Sequence, residues 1–336
     1  MEQITINVQR NSIPLITADL NKICLIDPTR VITYQEHTSD DLLAAVQTIC
    51  GNTTDNLYKN AQAIIGQVDS DGNPIYPGKI ALFGVVYNES TATSGALQTD
   101  LEIISNKDFY CLVFNHKFST HGALEEVANY VNAHKKFAFV EADFSVKNSM
   151  TVISKRLAFI PNTIDIPGLK SVALAGRYVG YGFANTMVNA RILNGVQVDN
   201  YTTTDLNAYL AANYILYTNV DGIVSTYGSM CADGLHHVDE VMALDKIEIE
   251  MRTNLRRLQV YSEKIPGDSR GEMSIIHEVS QVMQNNSDLI AEKDNGATDY
   301  SIVTGNYNRS TRKYENIIVN MVLAGAIESV SVKILY

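Results

Sequence analysis

Residues 108–143 read DFYCLVFNHKFSTHGALEEVANYVNAHKKFAFVEAD. The apolar runs at 109–114 and 137–140 predict two buried strands. Between these runs Ser119 or Thr120 can cap a helix whose apolar residues recur at helical spacing, namely Leu124, Val127, Ala128 and Val131. Two strands joined through a helix are typical of parallel pairing. The stretch therefore predicts a β-α-β unit and an α/β layer in the middle of the chain.

The rest of the chain adds further elements to this layer. Turn-forming residues are dense at 69–78, which suggests a domain boundary near residue 78. Asp221-Gly222 lies between two β-prone runs and predicts a hairpin with a two-residue turn. Apolar spacing predicts a long helix over roughly 237–261 and a second over roughly 272–283. The fold class expected is mixed α/β, and 336 residues are typical of about two domains.

Both ends of the chain alternate between apolar and polar residues, as half-buried strands do. The apolar positions are Ile4, Ile6 and Val8 at the start and Val330, Val332 and Ile334 near the end. Terminal segments usually fray unless something holds them, and an exposed alternating strand can pair with another chain. Two arrangements fit, pairing within one subunit or strand donation between subunits. Donation from copy to copy produces rings or helical filaments, so the pattern favours a self-assembling structural protein.

The charge balance argues against several classes of partner. The chain has 26 Lys and Arg against 37 Asp and Glu, a formal net charge of −11. Phosphate contacts need clustered basic residues, and the longest basic runs here are pairs such as Lys155-Arg156, so no direct nucleic-acid partner is expected. No apolar stretch approaches the length of a membrane span, and residues 1–10 lack the pattern of a signal peptide. Neither membrane insertion nor secretion by a signal peptide is expected.

An alternative function is a small-ligand or nucleotide-binding α/β enzyme. His116, His121 and Asp143 follow the two strands of the β-α-β unit, at the edge where open α/β sheets usually bind ligands. No nucleophile or phosphate-loop motif accompanies them. Loop polarity is the favoured explanation of these residues, and no catalytic residue is assigned.

Two further clusters could carry chemistry. Gly176, Gly180 and Gly182 resemble a dinucleotide loop, but no glycine follows at the required spacing and no strand-turn-helix with a downstream acidic residue is evident. Close backbone packing or a flexible connection is favoured instead. His236 and Glu240 could share a helix face and hold a metal ion, yet two ligands do not make a site. The sequence therefore predicts neither a cofactor nor a metal.

The order of these segments resembles the sheath proteins of contractile phage tails, especially short sheaths without large surface insertions. Three stretches besides residues 108–143 carry the resemblance. They are TSDDLLAAVQTICGNTTDNLYKNAQAII at 38–65, NYILYTNVDGIVSTYGSMCADGLHHVDEVMALDKIEIEMRTNLRRLQ at 213–259 and NIIVNMVLAGAIESVSVKILY at 316–336. The loop after Tyr227 departs from the pattern, because it reads Gly-Ser-Met-Cys where many larger sheaths have a Trp-Gly-x-Arg-Thr type of sequence.

The resemblance implies a structural subunit without catalytic residues. Such subunits form stacked sixfold rings around a rigid tail tube, and arms from different subunits complete a neighbour's sheet. On a baseplate signal the sheath contracts and drives the tube through the host envelope for genome delivery. The implied partners are other copies of the chain, the tail tube protein, and the baseplate and tail terminator proteins. The implied location is the virion tail, assembled in the host cytoplasm.

The resemblance also implies a division of the chain. Residues 1–20 would be the N-terminal arm and residues 328–336 the C-terminal arm. An inner sheath assembly domain would combine 21–78 with 235–327, and an outer α/β domain would span 79–234.

Particular residues follow from the same division. The exchanged strands would present the alternating positions Ile4, Ile6, Val8, Val330, Val332 and Ile334. Arg270 and Lys293 would face the tube.

Overall fold

The chain folds into two compact units. The computed structural model describes residues 2–8, 19–182, 186–310 and 312–325. The α/β unit comprises residues 19–241, and the terminal unit comprises the N-terminal strand with residues 242–325. In the described ranges, no helix is both long enough and apolar enough to span a membrane.

The α/β unit is built on a six-stranded sheet. Its strands are β2 (Asp19–Asp27), β3 (Ile32–His37), β4 (Lys79–Gly84), β5 (Phe109–Phe118), β6 (Phe137–Ala142) and β7 (Leu157–Ile160). They lie in the order β3-β4-β2-β5-β6-β7. All neighbours are parallel except β3 and β4, which are antiparallel. Strands β5 and β6 are almost continuously buried, as expected for parallel strands covered by helices on both faces.

Helices and one hairpin complete the α/β unit. The helices are α1 (Ser39–Cys50), α2 (Asn56–Ile65), α3 (Ala96–Glu102), α4 (His121–His134), α5 (Phe144–Asn148), α6 (Leu169–Gly180) and α7 (Thr203–Ala211). The hairpin consists of β8 (Leu216–Val220) and β9 (Ile223–Tyr227). Asp221 and Gly222 both have positive φ, 54° and 84°, which confirms the predicted two-residue turn.

The predicted β-α-β unit is confirmed. Strands β5 and β6 are parallel, with Leu112 opposite Ala138 and Val113 opposite Phe139. The apolar stripe of α4, Leu124, Val127, Ala128 and Val131, is completely buried. Helical periodicity therefore selected the correct face of α4 for the core.

The sequence does not predict helix α6 (Leu169–Gly180), and Gly176 and Gly180 lie inside this helix rather than in a loop after a strand. Of the two favoured explanations, close backbone packing is confirmed and a flexible connection is wrong for these two residues. A Cβ on Gly176 would lie 2.6 Å from the carbonyl oxygen of Ile64 in α2, and a Cβ on Gly180 would lie 2.7 Å from the backbone nitrogen of Tyr76. Glycine normally disfavours a helix, so these residues made α6 hard to predict. They are present because they allow close contact between backbones.

The terminal unit combines both ends of the described chain. It contains β1 (Glu2–Val8), α9 (Ser269–Asn285), a 3-10 turn at Ser287–Leu289, β10 (Tyr300–Val303), β11 (Asn306–Asn308) and β12 (Lys313–Met321). The long helix α8 (Val238–Tyr261) begins in the α/β unit and continues into the terminal unit. Its bounds and those of α9 confirm the two predicted helices.

The division between the units differs from the expected domains. Residues 21–78 were expected to join 235–327, but they belong to the α/β unit, where β2 lies between β4 and β5. The reason is long-range pairing: Ile23 is in register with Ile80 on one side and Cys111 on the other. The terminal unit instead joins the N-terminal strand to residues 242–325.

Candidate assembly site

Strand β12 organises the sheet of the terminal unit. Its apolar residues Ile317, Val319 and Met321 are at most 1% exposed, whereas Ile318 and Asn320 between them are half-buried. One face of β12 thus belongs to a core, as the strand period of two requires.

Strand β1 pairs with β12 in antiparallel orientation. Ile4 lies opposite Val319, Ile6 opposite Ile317, and Val8 opposite Tyr314, with an irregularity between Ile6 and Val8. The three predicted arm residues at the N-terminus therefore occupy register positions opposite buried residues of β12. In this structure of a single chain the pairing is internal.

Among the described strands, β1 lies at one edge of its sheet. The order of the described strands is β1-β12-β10, with β11 also on β12, so β1 has one neighbouring strand among them. The edge carries backbone N–H and C=O groups that can bind a further strand.

The C-terminal arm lies outside the described residues. The described chain ends after β12 with a bridge between Leu323 and Ile290, and Ala324 donates its N–H to the carbonyl of Leu289 at 2.9 Å. Val330, Val332 and Ile334 stay predictions of strand exchange.

The two residues expected to face the tube each have an acidic neighbour. Arg270, at the start of α9, pairs with Asp268 at 2.7 Å, and the Nζ of Lys293 lies 3.6 Å from Asp299. All four side chains are well exposed. Their charges are partly neutralised within the subunit, and their orientation towards a tube stays a prediction.

His116 and Asp143, the residues of the enzyme alternative, have separate partners. His116 contacts the carboxylate of Glu89, whereas Asp143 pairs with Lys117 at 2.7 Å. A cavity of about 370 Å³ beside His116 is lined by Arg30 and Asp55, which pair with each other at 3.0 Å. His121 starts α4. These contacts are those of folded loops, and they give the enzyme alternative no support.

Glu89 fixes the start of α4. Its carboxylate accepts hydrogen bonds from the backbone N–H groups of Ser119 and Thr120, at 2.9 and 2.7 Å, and from both of their hydroxyls. Burial acts to raise the pKa of Glu89, but the hydrogen bonds from His116, Thr120 and Ser119 outweigh it and lower the pKa to about 2. His116 thus helps to hold a helix-capping carboxylate, a role that the sequence did not indicate.

The histidines at the start of α8 are also engaged with neighbours. His236 lies 2.6 Å from Asp233, and His237 lies 2.6 Å from the hydroxyl of Ser229. Glu240 accepts from the N–H of His237 at 3.3 Å. Across the described part of the chain, no three His, Cys, Asp or Glu side chains converge as metal ligands would.

Comparisons with known proteins identify the fold. The sequence matches no family model, and no curated protein is a significant match. Among solved structures, a chain of the anti-feeding prophage baseplate superposes with a TM-score of 0.68 at 13% identity, covering 98% of both chains. A chain of the contracted anti-feeding prophage sheath gives 0.65 at 13% identity, covering 98% of this chain and 95% of that one. A sheath tail protein from Desulfitobacterium hafniense gives 0.63 at 10% identity, with 96% and 100% covered.

The chain has the fold of contractile sheath proteins. The predicted resemblance is therefore confirmed for the fold, and it extends over nearly the whole chain. Because the sequence identity is only 10–13%, the similarity to sheath proteins is visible in the sequence only as the order of segments.

Within this sheath fold, Glu141 occupies the place where an enzyme of α/β architecture could bind phosphate. Its carboxylate accepts the backbone N–H groups of Gly168, Lys170 and Ser171 at the start of α6, at 2.7–3.2 Å, and the side-chain amide of Asn162 at 2.8 Å. Burial raises the pKa of Glu141 to about 7, against the effect of these hydrogen bonds. A helix N-terminus already filled by a side chain is closed to a ligand anion. The sequence indicates this role only through the position of Glu141, an acidic residue inside the apolar run FAFVEA.

Proposed function

We propose that the protein is the subunit of a contractile sheath that polymerises around a tail tube and contracts to drive the tube through a host envelope. The observation that carries the proposal is the sheath fold over nearly the full length of the chain and of its structural neighbours. The edge position of β1 and its register on β12 support the proposal, because they provide a strand that subunits could exchange.

The finer proposal is a phage tail sheath that delivers a genome. Its partners would be other copies in stacked sixfold rings, the tail tube protein, and the baseplate and tail terminator proteins. It would be assembled in the host cytoplasm and reside in the virion tail. The similarity to the anti-feeding prophage and to the PVC sheath, an extracellular contractile injection system, supports the wider class of contractile devices.

Strand exchange gives the proposed contraction a physical basis. An extended sheath that contracts irreversibly must hold subunits in a metastable arrangement. Strands shared between subunits keep the lattice connected while the bodies of the subunits move, because backbone hydrogen bonds of a sheet need not break during that movement.

The proposal predicts that the purified full-length chain forms tubes or rings visible by negative-stain electron microscopy. Deletion of residues 1–10, or of residues 328–336, should abolish them while the circular dichroism of the folded core is retained. Stable monomers from the full-length chain as well as from both deletions would contradict the proposal.

A substitution pair sharpens this test. The double variant Ile4→Asp/Ile6→Asp should lose tubes, because it puts charge at the positions opposite Val319 and Ile317. The matched variant Thr5→Asp/Asn7→Asp adds the same charge on the other side of the strand and should assemble far better. Equal loss of tubes in both variants would show that added charge, and not the face of β1, controls assembly.

Assembly is also expected to depend on salt. Each subunit carries a formal charge of −11, and packing many copies closely brings like charges together. Salt screens this repulsion, with a screening length of about 10 Å at 0.1 M. The repulsion is stronger at low ionic strength, so tubes should be rarer there. Counting tubes across a salt series tests this, and equal numbers at low and high salt would contradict it.

A further inference from the structure

A basic cavity lies within the terminal unit. Its volume is about 730 Å³, and its walls are the end of α8 with the connection to α9 on one side and the β11–β12 hairpin on the other. Arg256 and Lys264 come from the first wall, and Arg309 and Arg312 from the second. A cavity of this size matches those that bind small molecules, which span roughly 300–1,000 Å³.

The four cations lack acidic partners in the described part of the chain. The ion pairs of this unit involve other basic residues, and the nearest polar contact of Arg256 is the amide oxygen of Gln259 at 3.4 Å. Glu263 is the single acidic residue among the described residues that line the cavity. All four side chains are exposed, so water weakens their mutual repulsion. Together they still give the cavity a positive potential that attracts anions, although the chain as a whole has an excess of acidic residues.

The two walls are held together by packing. The ring of Tyr307, on β11, lies against Gly267, where a Cβ would come within 2.4 Å of a ring carbon. Within the hairpin wall, Tyr314, on β12, donates its hydroxyl to the carbonyl of Gly305 at 3.1 Å and is buried. The contact of Tyr307 with Gly267 fixes the spacing of the two walls, and a preformed cavity lowers the entropic cost of binding.

We propose that this cavity binds a small multivalent oxyanion, of phosphate or carboxylate chemistry. Guanidinium groups bind both oxyanions through paired hydrogen bonds, and three arginines here surround one space. A monovalent anion could neutralise only part of this charge, so the site selects anions with two or more charges. A bound anion would join the α8–α9 connection to the β11–β12 hairpin, next to the strand that pairs with β1.

Isothermal titration calorimetry of the full-length protein tests the site. Tripolyphosphate and citrate represent the two oxyanion sources, and acetate is the monovalent control. We expect at least one multivalent anion to bind with a Kd below about 1 mM, and acetate not to bind in that range. The double variant Arg309→Gln/Arg312→Gln should weaken binding at least about tenfold. Arg257→Gln, an exposed arginine outside the cavity lining, should change it less than about twofold.

Three results would overturn the proposal. The first is no binding of tripolyphosphate or citrate up to about 1 mM. The second is an equal loss in the cavity variant and in Arg257→Gln, which would indicate a general charge effect. The third is binding of acetate as tight as that of the multivalent anions, which would show that the cavity does not select by charge. Thermal unfolding of each variant checks that it is folded, and none of these readouts depends on tube formation.

Discussion

Replacing Gly176 by alanine should lower the free energy of unfolding by about 3 kcal/mol, although alanine is normally the better helix former. The added Cβ would lie 2.6 Å from the carbonyl oxygen and 2.8 Å from the Cα of Ile64. Both are backbone atoms of α2, and Ile64 is itself completely buried, so neither helix can relax by moving one side chain. The helices α2 and α6 must separate, and the core between them loses contacts.

Urea denaturation followed by circular dichroism measures this effect. The matched control is Gly122→Ala in α4, where nothing lies within 4 Å of the added Cβ. That variant should be neutral or slightly more stable than the wild type, because alanine favours the helix. A Gly176→Ala protein as stable as the wild type would show that the close approach of the two helices is not required.

The second large effect is expected from Glu89→Ala, which should cost about 3 kcal/mol at neutral pH. The side chain of Glu89 is 6% exposed, and its loss leaves the N–H groups of Ser119 and Thr120 at the start of α4 without their acceptor. It also removes the carboxylate that His116 contacts. The start of the helix then loses the hydrogen bonds of these N–H donors. It also loses the favourable interaction between the negative carboxylate and the helix dipole.

The pH dependence distinguishes this role from simple packing. The pKa of Glu89 is about 2 in the folded protein, below its ordinary value of 4.5. The stabilisation is therefore fully present above pH 4.5 and is lost as the pH falls towards 2, so the difference between wild type and Glu89→Ala should shrink in that window. A difference that stays constant down to pH 2 would contradict the capping role.

Glu102→Ala is the matched control for this variant. Glu102 also pairs with a histidine, His134 at 2.8 Å, but its side chain is 43% exposed. An exposed pair of this kind contributes at most about 1 kcal/mol. Comparable losses in both variants would mean that the histidine contact, and not the helix cap, carries the effect.

Local elements followed directly from the sequence. The β-α-β unit, the turn at Asp221-Gly222 and the helices α8 and α9 are all encoded by spacing or by turn chemistry within about 35 residues. The alternation of Ile4, Ile6 and Val8 predicted β1 for the same reason. Such signals are readable because each depends on neighbours along the chain.

Chemistry was harder to predict than secondary structure. From the sequence, His116 and Asp143 were the candidate residues. In the structure His116 contacts Glu89, and the carboxylate of Glu141 caps the start of α6. Both carboxylates act on backbone groups about 30 residues away in sequence. No local pattern records a cap supplied from such a distance.

The sequence by itself determined an α/β layer, alternating ends and the order of segments that resembles contractile sheaths. Only the tertiary structure decided that residues 21–78 join the central sheet, that Gly176 lies against α2, and that β1 is in register with β12. The physical reason is the range of the interactions. Periodicity selects the buried face of an element, but the choice of its partner depends on hydrogen bonds and packing between residues far apart in the chain.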